Sequence, residues 1–567
     1  MPESHTMLDG PARTGLGRTV EFGGGNAWRT ALEHSPAPNA PLLTTDRPLT
    51  NPLGQPQSTF SIAELNAFAD ALSVWYLDLG VRPRDRVVVY IDDSFEDQLH
   101  LAALAQIGAI PVLLNGRMDP DIAARLIERA DPVGLYTDQA HLAALTADRG
   151  LPAALRWTRC GTAVEAVGSV GLPDSARYRH GQDDPVAICH TSGTTGLPKL
   201  VVWSHGQSTA GPRFRLRTQL EREDSVLLSA LPQSHSGAIG FTFYALLAGL
   251  PLVTLGTSGP AEITRAAQRH RPTIVLAFNE AFSALATSEI DPAAFTSVAS
   301  WINIGDSAHH EHIKRLTALG HHLVRHKRKQ GSVFGDGLGS SELGWAALHR
   351  AVIQEMPPKP GYIGTTTELA DVRVLREDGS EADPNEVGRL GVRSASVTPG
   401  YWDDSDRYYR SMRNGYWLSG DLVYRDAHGQ FFHVDRAVDV ISTGLGVGYS
   451  LLMEETLLSN LPEVADCAVV AGHRDGAEVA VALVRPYPAH RGVSPRELLE
   501  RANTALTTAG QPALALLELT QPDHGLPTGP TGKTLKRHLR ERYADLSGYA
   551  LRAGSHATVQ EQEEALT

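Results

Sequence analysis

The sequence predicts an α/β protein: a large N-terminal domain of helix-sandwiched sheets with a small β lobe, then a smaller α+β C-terminal domain. Three observations predict it. Over the first two thirds, short continuous apolar runs alternate with segments whose apolar residues recur at helical spacing. That is the rhythm of parallel strands buried on both faces and joined by helices. From about Glu368, short strand-like pieces separated by turn signals take over, and after Asp435 a separate helix-and-strand pattern begins.

Residues 1–25 are polar and rich in Gly and Pro, without the apolar core of a secretory signal. Helical spacing predicts helices over 62–79 and 97–107, and apolar runs predict strands over 87–91 and 110–114. Further strands are expected at 225–228, 252–255, 273–276 and 301–304. Residues 238–256 carry no charge and are long enough to span a bilayer. Gly249-Leu-Pro251 interrupts them, so they read as a buried helix followed by a core strand, and no membrane span is expected. Turn signals at Asp378-Gly379, Asn385-Glu-Val-Gly388 and Asp426-Ala-His-Gly429 mark the β lobe. Beyond it, a helix is expected over 451–461 and strands over 466–471 and 478–484. The expected boundaries are 1–434, 435–553 and a polar tail, 554–567.

Lys and Arg number 51 against 64 Asp and Glu, a formal charge of −13. A general nucleic-acid binder needs a cationic footprint, so nucleic acid is not an expected partner. Apolar residues at 42% and charged residues at 20% fit a globular chain rather than a disordered one. Cys160, Cys189 and Cys467 form neither a disulfide framework nor a zinc spacing, which fits a reducing cytoplasm.

The strongest chemical signal is His190-Thr-Ser-Gly-Thr-Thr-Gly-Leu-Pro-Lys199, directly after the apolar run Val186-Ala-Ile-Cys189. Thr191, Ser192, Gly193, Thr194, Thr195 and Gly196 set hydroxyls and unobstructed backbone N–H groups side by side. Such a loop wraps polyphosphate oxygens, and Lys199 adds a point charge. The Walker spacing is absent.

This segment resembles the phosphate loop of the adenylate-forming superfamily, which includes acyl-CoA synthetases, peptide-synthetase adenylation domains and luciferases. Gly339-Ser-Ser-Glu342 resembles its Gly-x-Thr-Glu segment, Thr398-Pro-Gly-Tyr-Trp402 its Gly-Tyr-Trp segment, and Tyr416-Trp-Leu-Ser-Gly-Asp421 its Trp-x-x-Thr-Gly-Asp segment. Asp435-Arg436 resembles the step that opens the mobile C-terminal domain, and Pro527-Thr-Gly-Pro-Thr-Gly-Lys533 the closing lysine loop. The motifs occur in the family's order.

The resemblance implies an ATP-dependent ligase that converts a small carboxylic acid to acyl-AMP, releases pyrophosphate, and passes the acyl group to a thiol of CoA or carrier-protein phosphopantetheine. It implies nucleotide contacts from Thr191 to Gly196 and from Lys199, Gly339, Ser341, Asp421 and Arg436. Magnesium would be held by Thr195 and Glu342, and catalysis would fall to Lys533, Glu342 and His235, the last beside the acyl pocket. The C-terminal domain would be a lid with two poses, and Ser442 and Gly444 would line the thiol tunnel. The physical reason is common to all these groups. A carboxylate must attack an anionic phosphorus, so cations and magnesium must neutralise and align both.

Departures bear on the second step. Leu338 stands where the family usually has an aromatic, Val438 at a hinge position, Ser442 where a Lys is typical and Leu445 where a second Gly is typical. They motivate an alternative with a non-thiol acceptor: an amine ligase, or an ATP-dependent diazotase activating nitrite. A third reading, nucleotide binding without catalysis, is opposed by Glu342, Asp421 and Lys533. His309, His310 and His312 read as a solvated helix start. The basic run 321–330 reads as a solvated face with the charge to dock an acidic carrier or a CoA phosphate. Gly444-Leu-Gly-Val-Gly448 is a weak dinucleotide match.

Overall fold

The computed structural model describes residues 5–559 apart from 148–149, 162–170, 192–196, 219–220, 307, 326, 358, 360, 445, 522–524, 530–532, 548, 550–556. A seven-stranded sheet runs in the order Gly400–Tyr401, Leu200–Ser204, Pro185–His190, Ile110–Leu114, Arg86–Tyr90, Gly134–Thr137, Trp157–Cys160. From Pro185–His190 to Trp157–Cys160 all neighbours are parallel. A 14-stranded sheet contains a parallel part made of Pro41–Thr50, Leu252–Thr254, Leu227–Ser229, Ile274–Phe278, Ser300–Ile304 and Val333–Leu338. It continues antiparallel through Leu348–Val352 and Tyr362–Thr366 into the β lobe, formed by Phe431–Arg436, Tyr416–Arg425, Gly388–Ser394 and Ala370–Leu375.

Side-chain alternation explains the unbroken apolar runs. Val87 and Val89 point into a core shared with Leu43, Leu252 and Leu276 of the larger sheet and with helices Ile62–Asp78, Glu96–Gln106 and Ser236–Ala248. Val88 and Tyr90 point the other way, against helix Pro120–Ala130. Val275 and Ala277 likewise face helices Pro260–His270, Asn279–Thr287 and His310–Thr317. The parallel parts of both sheets are therefore covered on two faces, the condition under which strands lose polar alternation.

Local signals set the helix ends. Ser61 Oγ accepts the Glu64 N–H while the Glu64 carboxylate accepts the Ser61 N–H, a capping box that starts Ile62–Asp78. The uncharged stretch is helix Ser236–Ala248, ended by Gly249 at φ +68°, then strand Leu252–Thr254. No helix among the described residues is long and apolar enough to cross a membrane.

From Ile441 onward the chain builds two cores of its own. Strands Val464–Arg474, Ala477–Pro486 and Leu514–Leu519 pack on helices Ser450–Asn460 and Pro495–Thr508 on one face and on Lys536–Arg542 on the other. This part corrects the reading of the histidine cluster. His312 is buried, and His309 Nδ1 lies 3.3 Å from Glu455 Oε2 on helix Ser450–Asn460. The face is covered by residues far along the chain, so it is not a solvated helix start.

Gly249 gives a test of the helix stop. A Cβ there would fall 1.9 Å from the Thr6 carbonyl oxygen, at a backbone angle that side chains resist. Gly249→Ala should therefore lower the unfolding free energy by more than about 1 kcal/mol in urea titration. An unchanged midpoint would contradict the close approach.

Candidate active site

The carboxyl ends of the parallel strands, where α/β sheets bind ligands, gather most of the residues that the sequence singles out. Strand Pro185–His190 leads into the Ser/Thr/Gly loop. Thr191 N–H donates to the Lys199 carbonyl and Lys199 N–H to Thr191 Oγ1, both at 3.0 Å, which ties the loop's two ends together. Ser192, Gly193, Thr194, Thr195 and Gly196 lie outside the described residues.

Lys199 Nζ sits 2.5 Å from Glu342 Oε1 and 3.2 Å from the Tyr401 hydroxyl, which itself donates to Glu342 Oε1 at 3.1 Å. Burial disfavours the charged form of Glu342, yet the Lys199 ammonium and the Tyr401 hydroxyl hold its carboxyl below the usual range. Backbone geometry assembles this trio. Tyr401 pairs with Val201 on the strand that Lys199 leads into, and Thr398 N–H donates to the Glu342 carbonyl at 2.7 Å. Ser341 Oγ donates to the His190 carbonyl at 3.3 Å and meets Ser236 Oγ at 3.1 Å.

Asp421 and Arg436 are directly opposite one another on strands Tyr416–Arg425 and Phe431–Arg436. Arg436 Nε lies 3.4 Å and His433 Nε2 3.2 Å from Asp421 Oδ1. Burial alone would raise the Asp421 carboxyl; Arg436 and His433 outweigh it and hold it well below the usual carboxylate range.

Two histidines are kept neutral. His190 Nε2 accepts the Asn115 N–H, so its proton sits on Nδ1, 3.0 Å from the Thr191 carbonyl. His235 caps helix Ser236–Ala248, its Nδ1 accepting the Gly237 N–H at 3.1 Å, which leaves the proton on Nε2. Burial, with His190 and Lys533 nearby, pushes His235 down to about 3. Its ring stands edge-on to Phe278, centroids 4.8 Å apart. Lys533 reaches the same sheet edge: a Cβ on Gly305 would lie 3.9 Å from Lys533 Cε.

Two cavities, about 1240 and 1660 Å³, meet at Gly305, Gly339, Asp421, Arg436 and Lys533. The larger is also lined by Thr191, Lys199, His235, Ser341 and Glu342. Ser442 and Gly444 are not part of this constellation. They sit on an exposed hairpin, Val440–Thr443 with Gly446–Tyr449, and line neither cavity. Sequence reasoning missed two neighbours. Tyr401 stood inside a quoted motif without a role, and His433 carries no signal until strand pairing places it beside Asp421.

A family model described as AMP-binding enzyme matches residues 37–402. The chain belongs to this family. It is an adenylate-forming enzyme. It is 36% identical to a Streptomyces protein named 3-aminoavenalumate diazotase, over 92% of this chain and 96% of that one. It is 29% identical to a feruloyl-CoA synthase of an Amycolatopsis species, over 86% of this chain and 94% of that one. Among solved structures, the Bacillus subtilis O-succinylbenzoate coenzyme A synthetase in complex with AMP superposes with a TM-score of 0.74, 20% identity and coverage of 91% and 98%. At that identity the likeness speaks for the fold.

The ion pair yields a stability test. Lys199→Met leaves the Glu342 carboxylate buried without its cation and should cost roughly 3 kcal/mol at pH 7; adding Glu342→Gln should recover most of it. Because the Glu342 carboxyl is held down in the folded state, its contribution is complete above the unfolded value of roughly 4.3 and fades as pH falls through the folded one. The gap between wild type and Lys199→Met should thus close in acid. A gap that persists or grows there, in parallel denaturation curves, would contradict the pairing.

Proposed function

We propose that this enzyme is an ATP-dependent diazotase, which activates nitrite on ATP and passes its nitrogen to an aryl amine. The observation that carries this reading is the 36% identity over 92% of the chain to 3-aminoavenalumate diazotase. The departures on the thiol side, Ser442 where a Lys is typical and Leu445 where a second Gly is typical, agree with an acceptor other than a thiol.

In the first step a nitrite oxygen attacks the α-phosphorus of ATP. An O–P bond forms, the bond to the β-phosphate bridging oxygen breaks, and pyrophosphate leaves with its electron pair. The loop from Thr191 to Gly196 and Lys199 would cradle the phosphates. Asp421, ionised and acceptor-only, would take the two ribose hydroxyls, and Arg436 would hold it in place. Lys533 would sit between nitrite and the α-phosphate and offset the charge that builds on the phosphoryl oxygens. Neutral His235 would offer Nε2–H to a nitrite oxygen. Glu342 fits a magnesium site: its Oε1 is taken by Lys199 and Tyr401, so Oε2 would be its ligand atom, with Thr195 as the second protein ligand. When bound, magnesium would supply charge neutralisation on the phosphates.

In the second step the amine nitrogen attacks the nitrogen of the mixed anhydride. An N–N bond forms, the N–O bond to AMP breaks, and AMP leaves. The resulting N-nitrosamine takes up a proton and loses water to give the diazonium ion, with no external oxidant or reductant. The segment 435–553 would act as a lid pivoting at Asp435-Arg436 and carrying Lys533 in and out.

A second reading is ligation of a carboxylic acid to CoA or a carrier thiol through acyl-AMP. The 29% identity to feruloyl-CoA synthase favours it.

Pyrophosphate release separates the two. Nitrite alone should drive it, and an aryl amine added with nitrite should give a diazonium trapped as an azo dye. A CoA thioester formed at ordinary turnover from an aryl acid, with nitrite inert, would establish the second reading instead. Lys533→Ala should slow nitrite-dependent pyrophosphate release about 10²–10³-fold and leave ATP binding in place. Loss of ATP binding would assign Lys533 to the nucleotide rather than to the attack.

A further inference from the structure

His235 is carried by a turn that two residues of the other sheet's side hold in place. The turn, residues 231–235, leaves strand Leu227–Ser229 of the 14-stranded sheet and leads into helix Ser236–Ala248. Within it, the His235 N–H donates to the Pro232 carbonyl at 2.9 Å, and Gln233 Nε2 donates to the Leu231 carbonyl at 2.9 Å. The backbone of Gln233 is engaged from outside. Asp93 Oδ1 accepts the Gln233 N–H at 2.7 Å, and Gln98 Nε2 donates to the Gln233 carbonyl at 2.5 Å. Asp93 and Gln98 follow strand Arg86–Tyr90 of the seven-stranded sheet. Two hydrogen bonds therefore cross the seam between the sheets and grip both backbone polar groups of one residue.

The grip is dry and firmly based. Gln98 is 0% exposed, Gln233 1% and Asp93 9%, so water cannot stand in for either bond, and losing one leaves a buried backbone group unpaired. Gln98 belongs to helix Glu96–Gln106, which is buried from Asp97 through Ala105 and cannot drift. Neither Asp93 nor Gln98 lines either cavity. They act on the cavity only through the turn. The ring of His235 follows that backbone closely, because its Nδ1 is tied to the Gly237 N–H in the next turn of chain.

We infer that Asp93 and Gln98 are positioning residues for His235: by clamping Gln233 they set where the His235 Nε2–H points in the cavity. The kinetic consequence rests on the role given to His235 above; the placement of the ring does not. Burial pushes the Asp93 carboxyl up to about 7, against the Gln233 N–H, Arg117 and Arg47, which favour its ionised form, while Asp46 disfavours it. Its neutral form accepts the same bond, so Asn, which keeps the acceptor without the charge, is the conservative replacement.

The full-length enzyme, with ATP and magnesium, is assayed for nitrite-dependent pyrophosphate release as wild type, Gln98→Leu, Asp93→Ala, Asp93→Asn and His235→Phe, and ATP binding is titrated separately. Gln98→Leu and Asp93→Ala should lower kcat/KM for nitrite about 10-fold or more and leave ATP affinity as it is, because Lys199, Asp421 and Arg436 lie on other segments. Asp93→Asn should recover most of the loss. In a His235→Phe background, Gln98→Leu should add little further. ATP binding weakened as much as nitrite turnover, or losses that add in the double variant, would overturn the proposal. Asp93→Ala carries the same test if Gln98→Leu does not fold, since Asp93 lies outside the helix. The ring is also read directly, by NMR of enzyme labelled with ¹³C at histidine, the His235 signal being assigned from its loss in His235→Phe. That signal should move in Gln98→Leu and Asp93→Ala while the signal of exposed His428 stays in place; an unmoved His235 signal overturns the proposal whatever the kinetics. Absence of nitrite-dependent pyrophosphate release in the wild type, or release unaffected by His235→Phe, would sink the role of His235 toward nitrite alone, and the ring signal would still decide the clamp.

Discussion

Two like charges 4 Å apart repel by about 4 kcal/mol at the dielectric typical of a protein surface, and more as water is excluded. An oxyanion that attacks a triphosphate meets several such charges at once. Neutralising them without filling the space where the anions must meet is the constraint around which this structure is arranged. Its cations are held in pairs rather than set loose. Lys199 is locked by Glu342 and Tyr401, and Arg436 lies against Asp421. Each pair keeps a carboxylate ionised deep in the protein. Lys533 is different: it comes to the cavities from a segment with its own hydrophobic cores.

The fold places these groups where neither partner can drift. Both carboxylate–cation pairs depend on backbone pairing between segments distant in sequence. Tyr401 reaches Lys199 through strand contact with Val201, and Asp421 faces Arg436 across adjacent strands. The neutral histidines follow the same logic. His190 and His235 each spend one ring nitrogen on a backbone N–H, which fixes the tautomer and adds no positive charge to the cavity. Such preorganisation matters because donors that need not reorganise stabilise developing charge most effectively.

Much of this was legible in the residues. Unbroken apolar runs such as 87–91 and 110–114 announced strands covered on both faces, and apolar residues at helical spacing announced the helix over 62–79. The Ser/Thr/Gly loop closed by Lys199 announced phosphate chemistry. What the residues could not announce was long-range pairing. Nothing local marks His433 as Asp421's neighbour, or His309 and His312 as covered by helix Ser450–Asn460, which comes more than a hundred residues later. The reach of the larger cavity was equally hidden. The basic run 321–330 is solvated over Lys327–Gln330, as its charge suggested, but gave no sign that Arg328 lines the larger cavity.

Activation of the anion bonds one of its oxygens to the α-phosphorus. Nitrite labelled with ¹⁸O in both positions tests it without any substitution. Turnover with ATP and an aryl amine should deliver AMP heavier by one ¹⁸O, because the attacking oxygen stays on phosphorus when the N–O bond breaks. Unlabelled AMP, formed at the rate of diazonium production, would mean that nitrite oxygen never bonds to phosphorus.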